Sequence, residues 1–148
     1  MDLRLLAVVP ALLLLANGPA GANADLTVVV TNVRNARGVV HVDLCRQAEF
    51  LKDCKLLAEA QAVAGTTIVR IPNVPPGEYG IQATHDENNN KKVDSGLFGI
   101  PKEGVGFSND APIGFGPPKW KDAIFGIAGD KTVTLKMRYF TGARGPKP

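Results

Sequence analysis

The chain has 148 residues, of which 45% are hydrophobic and 21% charged, and its formal net charge is +3 at pH 7. A chain of this size is expected to form one domain with a core large enough to stand alone. The small positive charge argues against a nucleic-acid-binding role, which usually needs a strongly basic patch, and it gives equally little support to a membrane-surface role.

The first 24 residues are typical of a signal peptide. Arg4 is followed by an apolar run at 5–16 and by small residues that end in Ala-Asn-Ala at 22–24. This A-x-A pattern predicts cleavage after Ala24, so that the mature chain begins at Asp25. The apolar run is too short to cross a bilayer, although an uncleaved anchor is the alternative. We therefore expect a periplasmic or secreted protein with no membrane span after cleavage.

Strand-like composition begins directly after the cleavage point. Residues 25–33 and 39–45 are rich in valine, and the turn signal at 35–38 separates them, so the pair is predicted to form an N-terminal hairpin. Residues 46–64 are rich in Ala, Leu, Lys and Glu instead. They are predicted to contain either a short helix near 55–60 or an irregular crossover.

The two cysteines, Cys45 and Cys54, both lie in the predicted mature chain. Because an exported protein meets an oxidising compartment, we expect them to form a disulfide, which would contribute about 2–3 kcal/mol by restricting the unfolded chain. A redox or metal-binding pair is the alternative. The spacing does not match C-x-x-C, and the intervening loop contains no histidine.

The remaining strands follow after residue 64. Residues 66–71 and 77–84 are predicted strands separated by a Pro- and Gly-rich turn. Residues 132–139 alternate cleanly between polar and apolar side chains, as a half-buried strand does. Residues 123–127 are predicted to be the hairpin partner of that strand.

About seven short strands with turn signals predict an all-β fold. We expect an antiparallel β-sandwich of the Ig-like or transthyretin-like type at residues 25–140, with a small closed barrel as the alternative. Residues 141–148 are predicted to be a disordered tail.

One long segment, residues 94–121, is dominated by glycine and proline and contains four aromatic residues, which are Phe98, Phe107, Phe115 and Trp120. A loop of this length in a small domain is usually functional or pinned by its own side chains. We expect the aromatic residues to anchor the loop, with Phe98 and Phe107 buried. The alternative is a ligand-binding surface that includes Phe115 and Trp120.

An acidic loop follows the predicted strand at 77–84. Its oxygen-bearing side chains occupy positions 1, 3, 5 and 9 of a calcium-loop count and belong to Asp86, Asn88, Asn90 and Asp94. Oxygens at alternating positions allow a tight loop to wrap one hard cation. The loop therefore predicts a weak calcium site, to which Lys92 adds its carbonyl oxygen.

Two positions of this loop depart from the calcium pattern. Position 6 is Lys91 rather than glycine, and position 12 is Leu97 rather than glutamate. A non-glycine residue at position 6 must adopt a left-handed backbone or re-route the loop. The alternative to calcium is an Asx-rich turn whose side chains bind their own backbone.

Catalytic motifs are weak. His85, Asp86 and Glu103 are the residues that a metal-assisted hydrolase would use, although no H-E-x-x-H or H-x-H spacing is present. His41 lies within a predicted strand and is interpreted as a packing or surface residue. No nucleophile elbow or phosphate-binding glycine loop is found.

Five sequence segments together resemble a known family; they are Val74–Tyr79, His85–Asp94, Phe98–Asn109, Gly116–Pro118 and Asp122–Phe125. Their combination resembles an uncharacterised family of exported bacterial proteins that is known as a domain of unknown function. The resemblance covers essentially the whole mature chain and implies a compartment and an architecture, but no activity. The Pro-Pro-Gly-x-Tyr run also resembles the carboxypeptidase-regulatory and transthyretin-like β-sandwiches locally.

These observations predict an exported, monomeric β-sandwich without catalysis. The expected role is a binding or accessory module of unknown partner, with an acidic loop that calcium stiffens weakly. The competing classes are the metal-assisted hydrolase that uses His85, Asp86 and Glu103, and a purely structural envelope protein. Convergence of His85 and Glu103 on one pocket would favour the hydrolase.

Overall fold

The computed structural model describes residues 21–147. The predicted signal peptide lies outside the described residues except for its last four. The strands in chain order are β1 (Ala24–Val33), β2 (Val39–Cys45), β3 (Leu56–Gln61), β4 (Gly65–Val74), β5 (Gly77–Asp86), β6 (Gly104–Phe107), β7 (Phe125–Ile127) and β8 (Lys131–Lys136). One short helix, α1 (Trp120–Ala123), precedes β7. None of the helices in this part of the chain has the length and apolar character needed to cross a membrane.

The strands form two sheets. One has the order β4-β1-β8, and the other has the order β3-β2-β5-β6, with β7 also paired to β5. All pairs are antiparallel except β1 and β8, which run parallel. The predicted β-sandwich is confirmed, with eight strands rather than about seven, and the described strands do not close into a barrel.

The hydrophobic core lies between the two sheets because alternate side chains of each strand point inward. Val28 and Val30 of β1 are fully buried, as are Val42 of β2 and Ile81 of β5 on the facing sheet. Each aliphatic side chain of this kind contributes roughly 1.5–3 kcal/mol when it leaves water. The two valine-rich alternating strands at the start of the chain therefore pack against each other across the core.

The predicted N-terminal hairpin is wrong, because β1 and β2 belong to different sheets. Their connection crosses from one sheet to the other and passes against the end of β5. Gly38 has a φ of 67°, and a Cβ atom there would overlap the carbonyl oxygen of Asp86. This close approach requires glycine. Buried valines alternate with outward-facing residues in the same way whether two strands are neighbours in one sheet or lie in opposite sheets. The alternation therefore did not indicate which strands pair.

The short helix predicted near 55–60 is also wrong. Residues Leu56–Gln61 form edge strand β3, which pairs with β2 along its whole length. Helix-favouring residues adopt a strand here because the pairing places Ala58 and Ala60 against the core while Leu57 and Glu59 point outward. Tertiary pairing therefore overrides the local propensity.

Residues 123–127 do not pair with the last strand as predicted. β7 pairs with the beginning of β5, whereas β8 pairs with β1 in the other sheet. The turn between β7 and β8 crosses the sandwich, and the Asp25 N–H donates to the carboxylate of Asp130 in that turn at 2.8 Å. This turn therefore connects the two sheets instead of closing a hairpin.

The segment after β8 has no further helix or strand in its described part. Asn32 donates its side-chain amide to the carbonyl of Arg144, and Arg34 donates to the carbonyl of Thr141, both at 2.8 Å. These contacts tie the segment predicted as a disordered tail to the end of β1.

We expect two leucines on neighbouring strands to differ sharply in their contribution to stability. Leu44 on β2 is 0% exposed, whereas Leu57 on β3 is 56% exposed. Leu44→Ala should lower the free energy of unfolding by about 2–5 kcal/mol because it leaves a cavity in the core. Leu57→Ala should change it by less than about 0.5 kcal/mol. Urea unfolding followed by circular dichroism measures both, and equal losses would contradict the assignment of the two faces.

Candidate functional site

The outer face of the sheet β3-β2-β5-β6 carries two rows of side chains that cross the strands. The first row consists of the register partners Leu57, Asp43, Gln82 and Phe107. The second row consists of the register partners Glu59, His41, Thr84 and Val105. Both rows point away from the core, and their members Asp43, Gln82, Thr84, Val105 and Phe107 line a groove on this face.

A second, smaller core covers one end of this face. Cys45 and Cys54 form the predicted disulfide, which is confirmed. The ring of Phe50 packs edge-on against Trp120 at 5.5 Å and against Phe107 at 6.1 Å between ring centroids. Trp120 is therefore half-buried in this cluster, beside Gly80 of β5, rather than lining the groove.

The acidic loop, residues 86–94, covers the opposite end of the face. The two carboxylate oxygens of Asp86 accept the N–H groups of Asn90 at 3.1 Å and of Lys91 at 2.7 Å. Lys91 has a φ of 60°, so it adopts the left-handed backbone that glycine would adopt more easily. Because Asp86 is almost completely buried, its hydrogen bonds to the loop backbone offset the loss of hydration.

The remaining side chains of the loop also bind within the loop. Asn88 and Asn90 donate their side-chain amides to Asp94 at 2.7 and 3.0 Å. Their side-chain oxygens accept the N–H groups of Asn90 and Lys92. This is the arrangement of an Asx-rich turn.

Glu103 fixes the two ends of the acidic loop. Its buried carboxylate accepts the N–H of Glu87 at 3.1 Å and the N–H of Asp94 at 3.2 Å. Burial raises the pKa of Glu103, and the two backbone hydrogen bonds oppose that rise. Glu103 thus bridges the strand end at 87 and the loop end at 94.

A cation would have to compete with these internal contacts. Only Asp86 and Asp94 of the predicted ligands are acidic, so a calcium ion would depend on amide and carbonyl oxygens for its other ligands. Within residues 21–147 no group of three or more His, Cys, Asp or Glu side chains is arranged to hold a metal ion. Lys91, at the position where calcium loops have glycine, adopts a left-handed backbone.

His85 lies in the core and not in a pocket. Its Nε2–H donates to the carbonyl of Arg37 at 2.8 Å, and its Nδ1 accepts the hydroxyl of Tyr139 at 2.8 Å. Burial lowers the pKa of His85, which keeps the ring neutral as this pattern requires. His85 and Glu103, the residues of the hydrolase alternative, therefore do not converge on one pocket.

An ion pair supports the same end of the sandwich. The guanidinium of Arg34 binds the carboxylate of Glu87 through two hydrogen bonds of 2.6 Å and stacks over the ring of Tyr139 at 4.5 Å. The hydrogen bonds from Arg34 lower the pKa of Glu87 to about 2. Burial raises the pKa of Tyr139 to about 12, so its hydroxyl keeps the proton that it donates to His85.

Between the two covered ends the face is open, and an apolar groove of about 750 Å³ lies there. Its floor includes Thr84 and Val105, and its walls come from the Gly- and Pro-rich segment and from the end of the acidic loop. The wall residues include Val93, Phe98, Ile100, Ile113, Phe115 and Pro117. Of the two residues predicted as a ligand surface, Phe115 lines the groove and Trp120 does not.

The predicted burial of Phe98 is wrong, because this side chain is 92% exposed. Phe98 lies at the apex of a turn that main-chain hydrogen bonds close, including one of 2.7 Å from Gly96 N–H to the carbonyl of Ile100. The turn needs no aromatic anchor. Phe115 is also fully exposed, whereas Phe107 is half-buried against Phe50.

Polar contacts, in addition to the packing of Phe107 and Trp120 against Phe50, hold the Gly- and Pro-rich segment. The buried hydroxyl of Ser108 accepts the N–H of Ile81 at 2.9 Å and donates to the carbonyl of Ala123 at 2.5 Å. The carboxylate of Asp110 accepts the N–H of Lys136 at 2.7 Å. These contacts explain how the segment is ordered while Phe98 and Phe115 stay in solvent.

A polar cluster adjoins the apolar groove, and no sequence motif indicated it. His41 Nε2–H donates to Asp43 at 2.9 Å, and Gln82 donates to the other oxygen of the same carboxylate at 3.1 Å. The hydrogen bond to Asp43 raises the pKa of His41. The two residues stand two apart on one strand and so share a face, which is the signal that would have identified the pair.

The fold and its groove define a small β-sandwich with one open sheet face. The chain belongs to the family described as an uncharacterized protein conserved in bacteria (DUF2141), whose model matches residues 28–135. The predicted resemblance to an uncharacterised family of bacterial proteins is confirmed. No curated protein and no solved structure shows significant similarity to the chain.

The two histidines should titrate on opposite sides of the ordinary value of 6.5. His41 has a raised pKa and stabilises the fold below the unfolded pKa, an effect lost as pH rises through the folded value. His85 has a lowered pKa, so its neutral form stabilises the fold above the unfolded pKa, and this effect is lost as pH falls. Proton NMR of the imidazole resonances measures both, with His41→Gln as the assignment control. A pKa of His85 that is higher than the pKa of His41 would contradict these environments.

Proposed function

We propose that the protein is an exported, non-enzymatic binding module whose groove takes an extended apolar ligand. The observation that carries this proposal is the groove on the outer face of β2, β5 and β6. Its volume of about 750 Å³ is within the range of small-molecule sites. Export rests on the signal-peptide pattern of residues 1–24, and the periplasm or the cell exterior is the corresponding location.

The chemistry of the walls favours an apolar ligand with a polar end. Val93, Ile100 and Ile113 offer aliphatic surface, and Phe98 and Phe115 stand at the rim. The polar cluster of His41 and Asp43 lies beside this surface and lines an adjoining hollow of about 390 Å³. A chain that lies along the groove would therefore reach hydrogen-bonding groups at one end.

Two features support a role without catalysis. The hydrolase alternative depends on His85 and Glu103, and both side chains are buried and engaged in hydrogen bonds that hold the sandwich end. The cysteines form a disulfide, and the Ser108 hydroxyl is buried between two backbone groups. The alternative of a purely structural envelope protein leaves the exposed apolar rim without a role.

Filling the groove should block ligand binding without unfolding the protein. Thr84 lies on the floor between His41 and Val105, so Thr84→Tyr places a ring inside the groove. Fluorescence titration with dansyl-labelled undecanoic acid should show a loss of affinity of about tenfold or more, equivalent to about 1.4 kcal/mol.

Thr66→Tyr is the matched control, since Thr66 is a strand threonine on the exposed face of the other sheet. It should leave the affinity for the dansyl probe unchanged, and thermal unfolding should show that both variants are folded. Unchanged probe affinity in Thr84→Tyr would remove the groove as the binding site.

The proposal includes a weak calcium site in the acidic loop, formed by Asp86, Asn88, Asn90, the carbonyl of Lys92, and Asp94. Its support is the spacing of these oxygens and the tight curvature at Lys91. Binding requires the amides of Asn88 and Asn90 to turn their oxygens from the backbone toward the ion.

Calcium should raise the melting temperature in the millimolar range, because a ligand that binds only the folded state stabilises it by mass action. Asp94→Asn should remove the increment, since it deletes one of the two ligand charges. Asp53→Asn, a change at an aspartate outside the loop, should keep it. Differential scanning calorimetry measures these melting temperatures. A melting temperature that does not depend on calcium would contradict the calcium site, and the loop would then be an Asx-rich turn.

A further inference from the structure

The positive charge of the chain is concentrated beside the most exposed aromatic residues. Two rim segments, residues 91–102 and 111–121, supply the walls of the apolar groove through Val93, residues 98–101 and residues 113–117, and their lysines lie outside the groove lining. Together they contain five lysines and one aspartate, so their formal charge is +4, whereas the whole chain carries +3. The rest of the chain therefore carries a formal charge of −1, and the acidic residues Glu103, Asp110 and Asp122 directly adjoin the two segments.

Three large apolar side chains on the same segments do not pack into either core. Phe98 and Phe115 project into solvent from two separate turns, and Leu97 beside Phe98 is 79% exposed. Aromatic side chains without protein contacts give no packing energy and expose a large apolar surface to water. Two such turns on one rim indicate that this surface binds a partner with an apolar region.

The lysines near the Phe98 and Phe115 turns indicate that the surface covering these side chains is negatively charged. Lys91 and Lys92 stand at the start of the first rim segment, and Lys102 at its end packs beside Gly96 near the base of the Phe98 turn. Lys119 and Lys121 follow the Phe115 turn. The one acidic residue of the rim segments, Asp94, accepts hydrogen bonds from the side-chain amides of two asparagines of the acidic loop.

We propose that the two rim segments dock the protein onto an anionic lipid bilayer. Phe98, Phe115 and Leu97 enter the boundary between headgroups and acyl chains, while the lysines remain at the level of the lipid phosphates. Interfacial binding of this kind grows with the buried apolar area and with the attraction to anionic lipids. The groove then opens toward the bilayer, although docking itself requires only the rim and not a ligand in the groove.

Vesicle flotation of the full chain tests the proposal. The protein should float with vesicles that contain phosphatidylglycerol in phosphatidylcholine and should float much less with phosphatidylcholine alone. The double variant Phe98→Ser, Phe115→Ser should bind the anionic vesicles at least about tenfold more weakly. Each Lys→Gln change at 91, 92, 102, 119 or 121 should weaken binding by roughly fivefold at low salt, equivalent to about 1 kcal/mol.

The matched control is the double variant Val63→Ser, Ile68→Ser. These two apolar side chains are 55% and 46% exposed but lie outside the rim segments, so vesicle binding should not change. All variants share the N-terminal apolar run, and its contribution to binding is therefore the same in each. Thermal unfolding should show that both double variants remain folded.

The outcomes separate docking from ligand binding. Equal vesicle binding by the wild type and by Phe98→Ser, Phe115→Ser would overturn docking, as would binding that is independent of phosphatidylglycerol or no binding at all. Thr84→Tyr should lose the dansyl probe and keep vesicle binding, because it fills the groove and leaves the rim intact. If the double variant Phe98→Ser, Phe115→Ser lost affinity for the dansyl probe but bound vesicles like the wild type, the groove would remain the ligand site. The same result would refute the bilayer as the partner of the rim.

Discussion

The two faces of strand β5 are the constraint on which both the core and the groove depend. Tyr79 and Ile81 point into the sandwich, whereas Gln82 and Thr84 point into the groove. A slip of one residue in the pairing of β5 would exchange these sets and place polar groups in the core. His85 secures the register at the strand end, because its two ring nitrogens have fixed partners in the β1–β2 connection and after β8.

The ends of the groove are held by different physical means. A disulfide and aromatic contacts cover the end near Gly80, whereas a hydrogen-bonded polar loop covers the end near Asp86. The buried carboxylate of Glu103 holds that loop shut at both ends. The contacts at both ends leave Phe98 and Phe115 as the most exposed side chains of the groove rim.

Period-two alternation and the pair of cysteines were sufficient to predict a sandwich and its disulfide. The order of strands was not predictable locally, because the connections near Gly38 and Asp130 cross between sheets although their residues are typical of hairpin turns. The exposure of Phe98 was not predictable either, since main-chain hydrogen bonds close its turn. For the site, the spacing of the acidic-loop residues was visible in the sequence, but the groove depends on strands distant along the chain.

The parallel pair of β1 and β8 has a mechanical consequence. The first strand and the last strand lie side by side over six register pairs, from Leu26 with Lys131 to Thr31 with Lys136. Tension applied between the two chain ends would slide these strands along each other, so that their hydrogen bonds carry the load together rather than one after another. Such shear loading resists forced unfolding, which is governed by the unfolding rate, better than peeling a hairpin does. A domain tethered at one end would therefore keep its groove intact under a pull that opens a hairpin-terminated sandwich.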